Sequence, residues 1–583
     1  MFGKHIDFAR DVWALARPYW FSEERWPARG LLLAIIALNL SIVFLSVMFN
    51  DWNRLMYNAL QQYDVGRFLP LMGRFSVLAF FWIAFQVYRL YLRQMLEMRW
   101  RRWMTERFVS RWLAGRTYYR LQLEGGGADN PDQRITEDLR DFTAGTLSLA
   151  IGLMEAVVTL ASFAGILWAL SGSLTIPIDG VEITIPGYLL WAALLYSALG
   201  TWLTHLVGRP LIGLNFQRQR VEADYRFSLV RFRENVDGVA LYGGEAREQR
   251  QFSLLFANVL TNWWQIMRQT KRLTSFTAGF GQAAVIFPMA LAAPRYFAHV
   301  IELGPLMQTL DAFGQVQSSM SWFVDAYSAI APWKATVDRL TSFNAAMTRI
   351  EATLQTGPAI HVVPAAEGAH EIRTRDLDLA VPGGRVLLPH AELTLRQGEP
   401  VLLSGPSGSG KSTLFRALAG IWPYGAGTVE RPSAQRFLFL PQRPYLPIGP
   451  LRDVLTYPAP AGQLADAEII EALRACELAP LVDRLDDAQH WAQLLSPGEQ
   501  QRIAFARALL VKPDWLFLDE ASSALDEATE MRLYQMLPKR LPDTTVVSIG
   551  HRPSLRAFHP RQIEIRQTDG LWGLHDTALR AAQ

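Results

Sequence analysis

A chain of 583 residues is too long for one domain. Half of its residues are hydrophobic and 19% are charged, which excludes an ordinary soluble globule over the whole length, and a formal net charge of +3 gives no ground for nucleic-acid binding. The one cysteine, Cys476, excludes an intramolecular disulfide and suits a reducing compartment.

The first thirty residues carry Lys4, Arg10, Arg17, Arg25 and Arg29 but no apolar core ahead of a small-residue cleavage site, so they do not read as a cleavable signal. Ile6, Phe8, Val12, Trp13 and Leu15 predict a short amphipathic helix on the membrane surface. About twenty apolar residues cross the hydrocarbon core as a helix. Such segments run Leu31–Phe49, Val77–Tyr91, Leu147–Leu170, Tyr188–Val207 and Phe276–Ala293, and a sixth, about Met307–Ile330, is the least hydrophobic. Segments 89–145 and 208–275 are rich in arginine, whereas 171–186 has no basic residue. The basic loops are therefore expected in the cytoplasm, with six spans and both ends inside. The loop at 50–74, with Arg54, Arg67 and Arg74, follows that rule less closely.

On the sixth segment Asp311, Gln315, Ser318, Trp322 and Asp325 recur at helical spacing and share one face. Polar groups facing lipid are costly, so this face is expected to line a translocation pathway. The alternative places Asp311 and Asp325 near the two membrane surfaces, where carboxylates stay hydrated.

Residues 371–583 read as a soluble α/β domain after a linker at 346–370, with the membrane domain over 1–345. The strand-like Pro400–Ser404 leads into Gly405-Pro406-Ser407-Gly408-Ser409-Gly410-Lys411-Ser412-Thr413 and then a helical pattern. This is a phosphate-binding loop in its strand–loop–helix setting. Glycines let the backbone approach phosphate, and amides at the helix N-terminus favour negative charge. Lys411 is expected on the β- and γ-phosphates of ATP and the Ser412 hydroxyl on Mg²⁺. Downstream, Trp515–Asp519 is an apolar strand ending in Asp519 and Glu520. Asp519 is placed to ligate Mg²⁺ and Glu520 to act as general base.

Further motifs resemble those of ABC transporters. Leu495-Ser496-Pro497-Gly498-Glu499-Gln500-Gln501-Arg502 resembles the signature, Ser523-Ala-Leu-Asp526 the D-loop, Gln442 the Q-loop and His551 the switch histidine. The resemblance implies an exporter-type α-helical transmembrane domain followed by an α/β P-loop nucleotide-binding domain. It also implies ATP contacts for Ser496, Gly498, Glu499 and Asp526, a Mg²⁺ and catalytic role for Gln442, and a catalytic role for His551. Pro497 and Glu499 depart from the common signature, but Ser496 and Glu499 form an S-x-x-E capping box with proline at the first helical position. In this family the signature helix addresses ATP held by the other subunit, so a chain with one such domain is expected to pair as a homodimer. Val381 stands where an adenine-stacking aromatic is usual, which predicts weak discrimination among purine nucleotides.

Asn130–Asp138, Gly115–Tyr119 and Pro441–Arg452 resemble subfamily D, the peroxisomal fatty-acyl-CoA transporters, while Glu234–Gly244 and Phe313–Asp325 resemble the bacterial SbmA/BacA-like branch. The resemblance implies a multi-pass protein of the bacterial inner membrane. It points to uptake of peptides or bulky hydrophilic compounds such as cobalamin, with export or an acyl-CoA-like cargo as the alternative and an ATP-gated channel as a rival. Segments 116–138 and 234–247 are then expected to present coupling helices to the Q-loop region of the ATPase.

Overall fold

The computed structural model describes residues 2–124, 130–178, 181–356, 360–366, 368–460, 462–568 and 571–578. The chain divides into two units, Met1–Ser110 with Asp129–Asn344 and Arg111–Ala128 with Ala345–Gln583.

The first unit is helical. An amphipathic α1 (Phe2–Trp20) buries Leu15, Ala16 and Tyr19, whose ring stacks on Trp100 at 5.5 Å. The long helices follow: α2 (Arg25–Gln61), α3 (Val65–Leu113), then, past a short α4 (Thr117–Glu124), α5 (Leu139–Ser171) and α6 (Tyr188–Glu234). A small helix, α7 (Val236–Tyr242), leads into α8 (Glu245–Phe297) and α9 (Leu303–Thr356). An antiparallel hairpin, β1 (Ser173–Ile178) with β2 (Val181–Pro186), joins α5 to α6.

Among the described residues five helices are long and apolar enough to cross a membrane; they contain the first five predicted segments. Helix α9 is continuous through the sixth predicted segment but is not in that set. Its polar residues dilute one face, while Ala312, Phe313 and Val316 are fully buried against Phe163 and Leu167 of α5 and Leu189 and Ala193 of α6. Glycines let large rings approach α5 closely. A Cβ at Gly145 would sit 2.6 Å from Trp333 and one at Gly152 2.7 Å from Trp322, the small-residue packing common between membrane helices. At the start of α5 the buried Asp138 accepts from Arg134 at 2.9 Å and from Arg339 of α9 at 2.5 Å.

Besides a two-residue antiparallel pairing of Gly449–Pro450 with Ala488–Gln489, the described residues of the second unit form two larger sheets. One is built from β3 (Ile360–Pro364), β4 (Glu371–Ala380), β5 (Val386–Leu388), β6 (Thr394–Arg396) and, after the phosphate loop, β8 (Gly425–Arg431), in the order β3-β8-β4-β5 with β6 also on β4. The other contains β7 (Val401–Ser404), β9 (Phe437–Leu440), β10 (Trp515–Asp519), β11 (Thr545–Ile549), β12 (Arg561–Thr568) and β13 (Leu571–Ala578). Its order is β13-β12-β7-β11-β10-β9, parallel except for the β12–β13 edge. Strands buried on both faces are continuous apolar runs, as Val401-Leu-Leu403 and Trp515-Leu-Phe-Leu518 are. Three helices matter below: α10 (Lys411–Leu418), α11 (Pro497–Val511) and α12 (Glu527–Arg540).

Residues 111–124 pack with this unit. Gly115 (φ 57°) and Arg116 (φ 59°) turn the chain after α3, and α4 follows. Leu123 packs on the apolar core beneath the sheets, and the Arg116 guanidinium donates to Gly420 O at 3.4 Å, just past the end of α10. Cations are favoured at a helix C-terminus, where carbonyls lack partners. Ahead of α4, Arg116 therefore meets the end of the phosphate-loop helix, and α4 itself sets Leu123 on the core of this unit.

Gly427 on β8 has φ 105°, and an added Cβ would lie 2.2 Å from Asp376 O. Gly427→Ala strains both strands, so the temperature at which full-length ATPase activity is half lost is expected to fall by roughly 5 °C or more.

Candidate functional site

In the parallel sheet four neighbouring strands end at the same level. Leu403 is in register with Ile549, Ile549 with Asp519, and Leu518 with Leu440. Within two residues of those ends lie Gly405, His551, Glu520 and Gln442, so one edge collects every predicted phosphate-site and water-activating group of this domain except those on the signature and D-loop. This is where ligands bind in open α/β sheets.

The phosphate loop takes backbone conformations that require glycine. Gly405, Gly408 and Gly410 have φ of 149°, 79° and 96°, and a Cβ on Gly405 would meet Ile565 O at 2.8 Å. Pro406, Ser407 and Ser409 lie on this loop, and Lys411, Ser412 and Thr413 open α10. Lys411 folds back over the loop, donating to Gly405 O and Pro406 O at 2.8 Å each. Burial pulls its pKa down, opposed by the nearby Glu520 and Asp519 charges. Ser409 Oγ is buried and has no hydrogen-bond partner among the described residues.

Ser412 Oγ donates to Asp519 Oδ1 at 2.9 Å. Burial raises the Asp519 pKa, and the Ser412 bond only partly offsets it. A half-buried carboxylate facing a hydroxyl beside a phosphate loop suits Mg²⁺, which takes one or two protein oxygens and completes its shell with phosphate and water. Glu520 is the strained residue of the site, with φ 49° in the left-handed region. Its backbone N–H donates to Ile549 O at 3.1 Å, and its two carboxylate oxygens face different partners. Gln442 Nε2 donates to Oε2 at 3.1 Å, and His551 Nε2 lies 3.4 Å from Oε1. Gln442 is thus turned to Glu520, while Ser412 and Asp519 pair with each other.

The signature forms the helix start that its spacing predicts. Ser496 caps α11, and the capping box closes: Ser496 N donates to Glu499 Oε2 at 2.9 Å and Glu499 N to Ser496 Oγ at 3.3 Å. Bonds from the Ser496 hydroxyl and backbone hold Glu499 below the usual carboxylate range. Gly498 leaves room for the D-loop, since a Cβ there would lie 3.3 Å from Ala524 O. Asp526 caps α12, accepting from Thr529 N at 2.9 Å and from its hydroxyl at 2.8 Å, and those bonds lower its pKa.

Sequence reading passed over two residues. Gln501, 3% exposed, donates to Gln442 O at 3.0 Å and Ser523 Oγ at 3.2 Å and accepts from Ala524 N at 2.9 Å. It ties α11 to the Q-loop and the D-loop. Arg552, next to His551, donates to Leu525 O at 2.8 Å. The signal for Gln501 was a polar side chain on the buried face of an otherwise apolar helix, Ile503-Ala-Phe-Ala506.

In the membrane unit the predicted stripe divides. Asp311 accepts from Asn50 Nδ2 at 2.6 Å and lines a 440 Å³ cavity with Gln315 and Trp82. Ser318 is exposed, and Trp322 lines a second cavity. The side chain of Asp325 lies outside the described residues.

A membrane-helix unit followed on one chain by a phosphate-loop ATPase defines a fused transporter. Residues 15–297 match ABC transporter transmembrane region 2, and residues 388–523 match ABC transporter. An uncharacterized ABC transporter ATP-binding protein of Haemophilus influenzae is 37% identical over 98% of this chain and 94% of its own. The inner membrane ABC transporter ATP-binding protein YddA of Escherichia coli is 32% identical, covering 93% and 94%. The human lysosomal cobalamin transporter ABCD4 is 27% identical over 80% and 79%. The solved structure of a bacterial Atm1-family ABC exporter with ATP bound superposes at a TM-score of 0.68 with 18% identity, covering 95% of both chains, which shows the exporter-type fold. The chain belongs to the ABC transporter family, with homologues in subfamily D. It is a multi-pass membrane ATPase that binds ATP and couples its hydrolysis to transport.

The capping box separates Glu499's local role from any contact with nucleotide. Glu499→Gln keeps an S-x-x-Q box and is expected to hold the unfolding midpoint, whereas Ser496→Ala costs about 1 kcal/mol of stability, read by thermal unfolding of the full chain.

Proposed function

We propose that this chain works as a Mg²⁺-dependent homodimer in a bacterial inner membrane, driving uptake of bulky hydrophilic cargo such as peptides or cobalamin. The observation that carries the ATPase assignment is the convergence of Gln442 and His551 on the two oxygens of Glu520, beside the Ser412–Asp519 pair. In this reading Lys411 and the loop amides, with Ser407 and Ser409, hold the phosphates of ATP. Ser412, Asp519 and Gln442 would hold Mg²⁺, which when bound offsets phosphate charge during transfer. Glu520 orients the attacking water and accepts its proton, while Gln442 and His551 fix the carboxylate's direction. Ser496, Gly498 and Glu499 present the start of α11 to the ATP of the partner copy, with Asp526 on the neighbouring D-loop.

The homodimer is supported by the single phosphate loop per chain and by α7, where Leu241 and Tyr242 are 86% and 92% exposed between the basic end of α6 and the start of α8. Side chains this apolar on a cytoplasmic turn suit a protein partner. The inner-membrane location rests on the likeness to YddA, and the cobalamin class on the likeness to the lysosomal transporter. The exporter-type fold favours the opposite direction as a second reading. ATP-driven accumulation of peptides and corrinoids in oriented proteoliposomes decides it: accumulation on the ATP side supports uptake, and on the far side export.

Glu520→Gln is expected to reduce hydrolysis by about 10²-fold or more while ATP binding persists, and transport should stop with it. Transport that continues on ATP binding alone would make the protein a gate. With Val381 at the adenine position, GTP is expected to compete within about threefold of ATP, and Val381→Tyr to widen that ratio, as measured by competition for ATP binding.

A further inference from the structure

Two arginines of α3, Arg89 and Arg93, lie on a helix apolar enough to cross the membrane. With Gln86, Ser148, Glu155 and Trp322 they line a 480 Å³ cavity between α3, α5 and α9. Charged side chains in membrane helices are costly, and they are paired or used. Arg89 is paired. Its Nη1 donates to Asn39 Oδ1 at 2.6 Å and Glu155 Oε2 at 2.8 Å, and its Nη2 to Gln86 Oε1 at 2.7 Å.

Arg93 differs. Its Nε is buried and has no hydrogen-bond partner among the described residues. Asn39, 1% exposed and bonded to Arg89 through its oxygen, also leaves its amide nitrogen without a partner. Glu155 is the only carboxylate among the described lining residues, so two guanidiniums against one carboxylate leave one positive charge uncompensated. Trp322 lies directly over Gly152, which gives the cavity an aromatic wall from α9. A structural tie between α3 and α5 needs only the Arg89–Glu155 pair; it gives no use to Arg93.

We propose that this cavity binds an anionic group of the cargo, a carboxylate or a phosphate, with Arg93 as its donor and the Arg89–Glu155 pair holding the wall. The proposal rests on the transport reading above and narrows its substrates to those carrying such a group, as a peptide C-terminus or a corrinoid phosphodiester does. A cationic group there would add to the unpaired charge, whereas an anion removes it.

The test uses the full-length protein in proteoliposomes and ATP-driven accumulation of one peptide in three forms: free C-terminal carboxylate, C-terminal amide, and amide with an added phosphoserine. The half-saturating concentration is expected to be about tenfold lower for the carboxylate, the phosphopeptide or both than for the plain amide. Which of the two gains more identifies the preferred anion. In Arg93→Gln the acid-to-amide ratio is expected to fall to about one, in Arg93→Lys to be largely kept, and in Glu155→Gln to widen. Each ratio is internal to one variant, so a lower yield of folded protein does not alter it. Equal half-saturation of the three peptides, or a ratio unchanged in Arg93→Gln, overturns the anion site and leaves peptide transport standing. No ATP-driven accumulation of any form overturns peptide transport, and with it the site as a peptide-anion site.

Discussion

The soluble domain depends on the parallel register of β7, β11, β10 and β9. Hydrogen bonding between strands fixes where each one ends, and the loops leaving those ends carry Gly405, His551, Glu520 and Gln442. No side chain in this group needs a long reach, because the sheet has already set the spacing. Glu520 completes the arrangement by taking a left-handed backbone conformation that returns its N–H to Ile549 O and leaves its carboxylate between Gln442 and His551. That strain is tolerated because Leu518 before it and Ala521 after it are buried and hold the chain on both sides.

Around this edge the loops are tied to one another. Gln501 joins α11 to the Q-loop and D-loop, and Arg552 joins the switch loop to the D-loop. A movement of one loop therefore bears on the others. On the same unit Arg116, just ahead of α4, meets the end of α10, and α4 packs Leu123 against its core. The chain segment that follows α3 is thus part of the ATPase unit, which gives nucleotide-driven rearrangement a direct covalent path to a membrane helix.

The membrane unit follows a different balance. Its helices are held by close packing on glycine and by a few polar ties, among them Asp138 with Arg134 and Arg339, and Arg89 with Glu155. Such ties are costly to desolvate, and they remain where removing one partner would leave a buried charge alone. They also leave α9 with two contrasting faces. One is apolar and packed on α5 and α6, and the other carries Asp311, Gln315 and Trp322 onto cavities.

The sequence by itself determined the order of the domains, five apolar spans, the phosphate loop and the capped signature helix. Each of these is local: twenty apolar residues, a glycine spacing or a four-residue capping box encodes its own geometry. Tertiary structure decided which groups meet. It turned Gln442 toward Glu520, spent Asp526 on a helix cap, and brought in Gln501 and Arg552, whose partners lie more than twenty residues away. It also placed Arg116 against Gly420, and it gathered Arg89, Arg93 and Glu155 around one cavity. In the sequence those two arginines merge into the basic stretch that sets orientation. Only the packing of three helices shows that one of them is paired and the other is not.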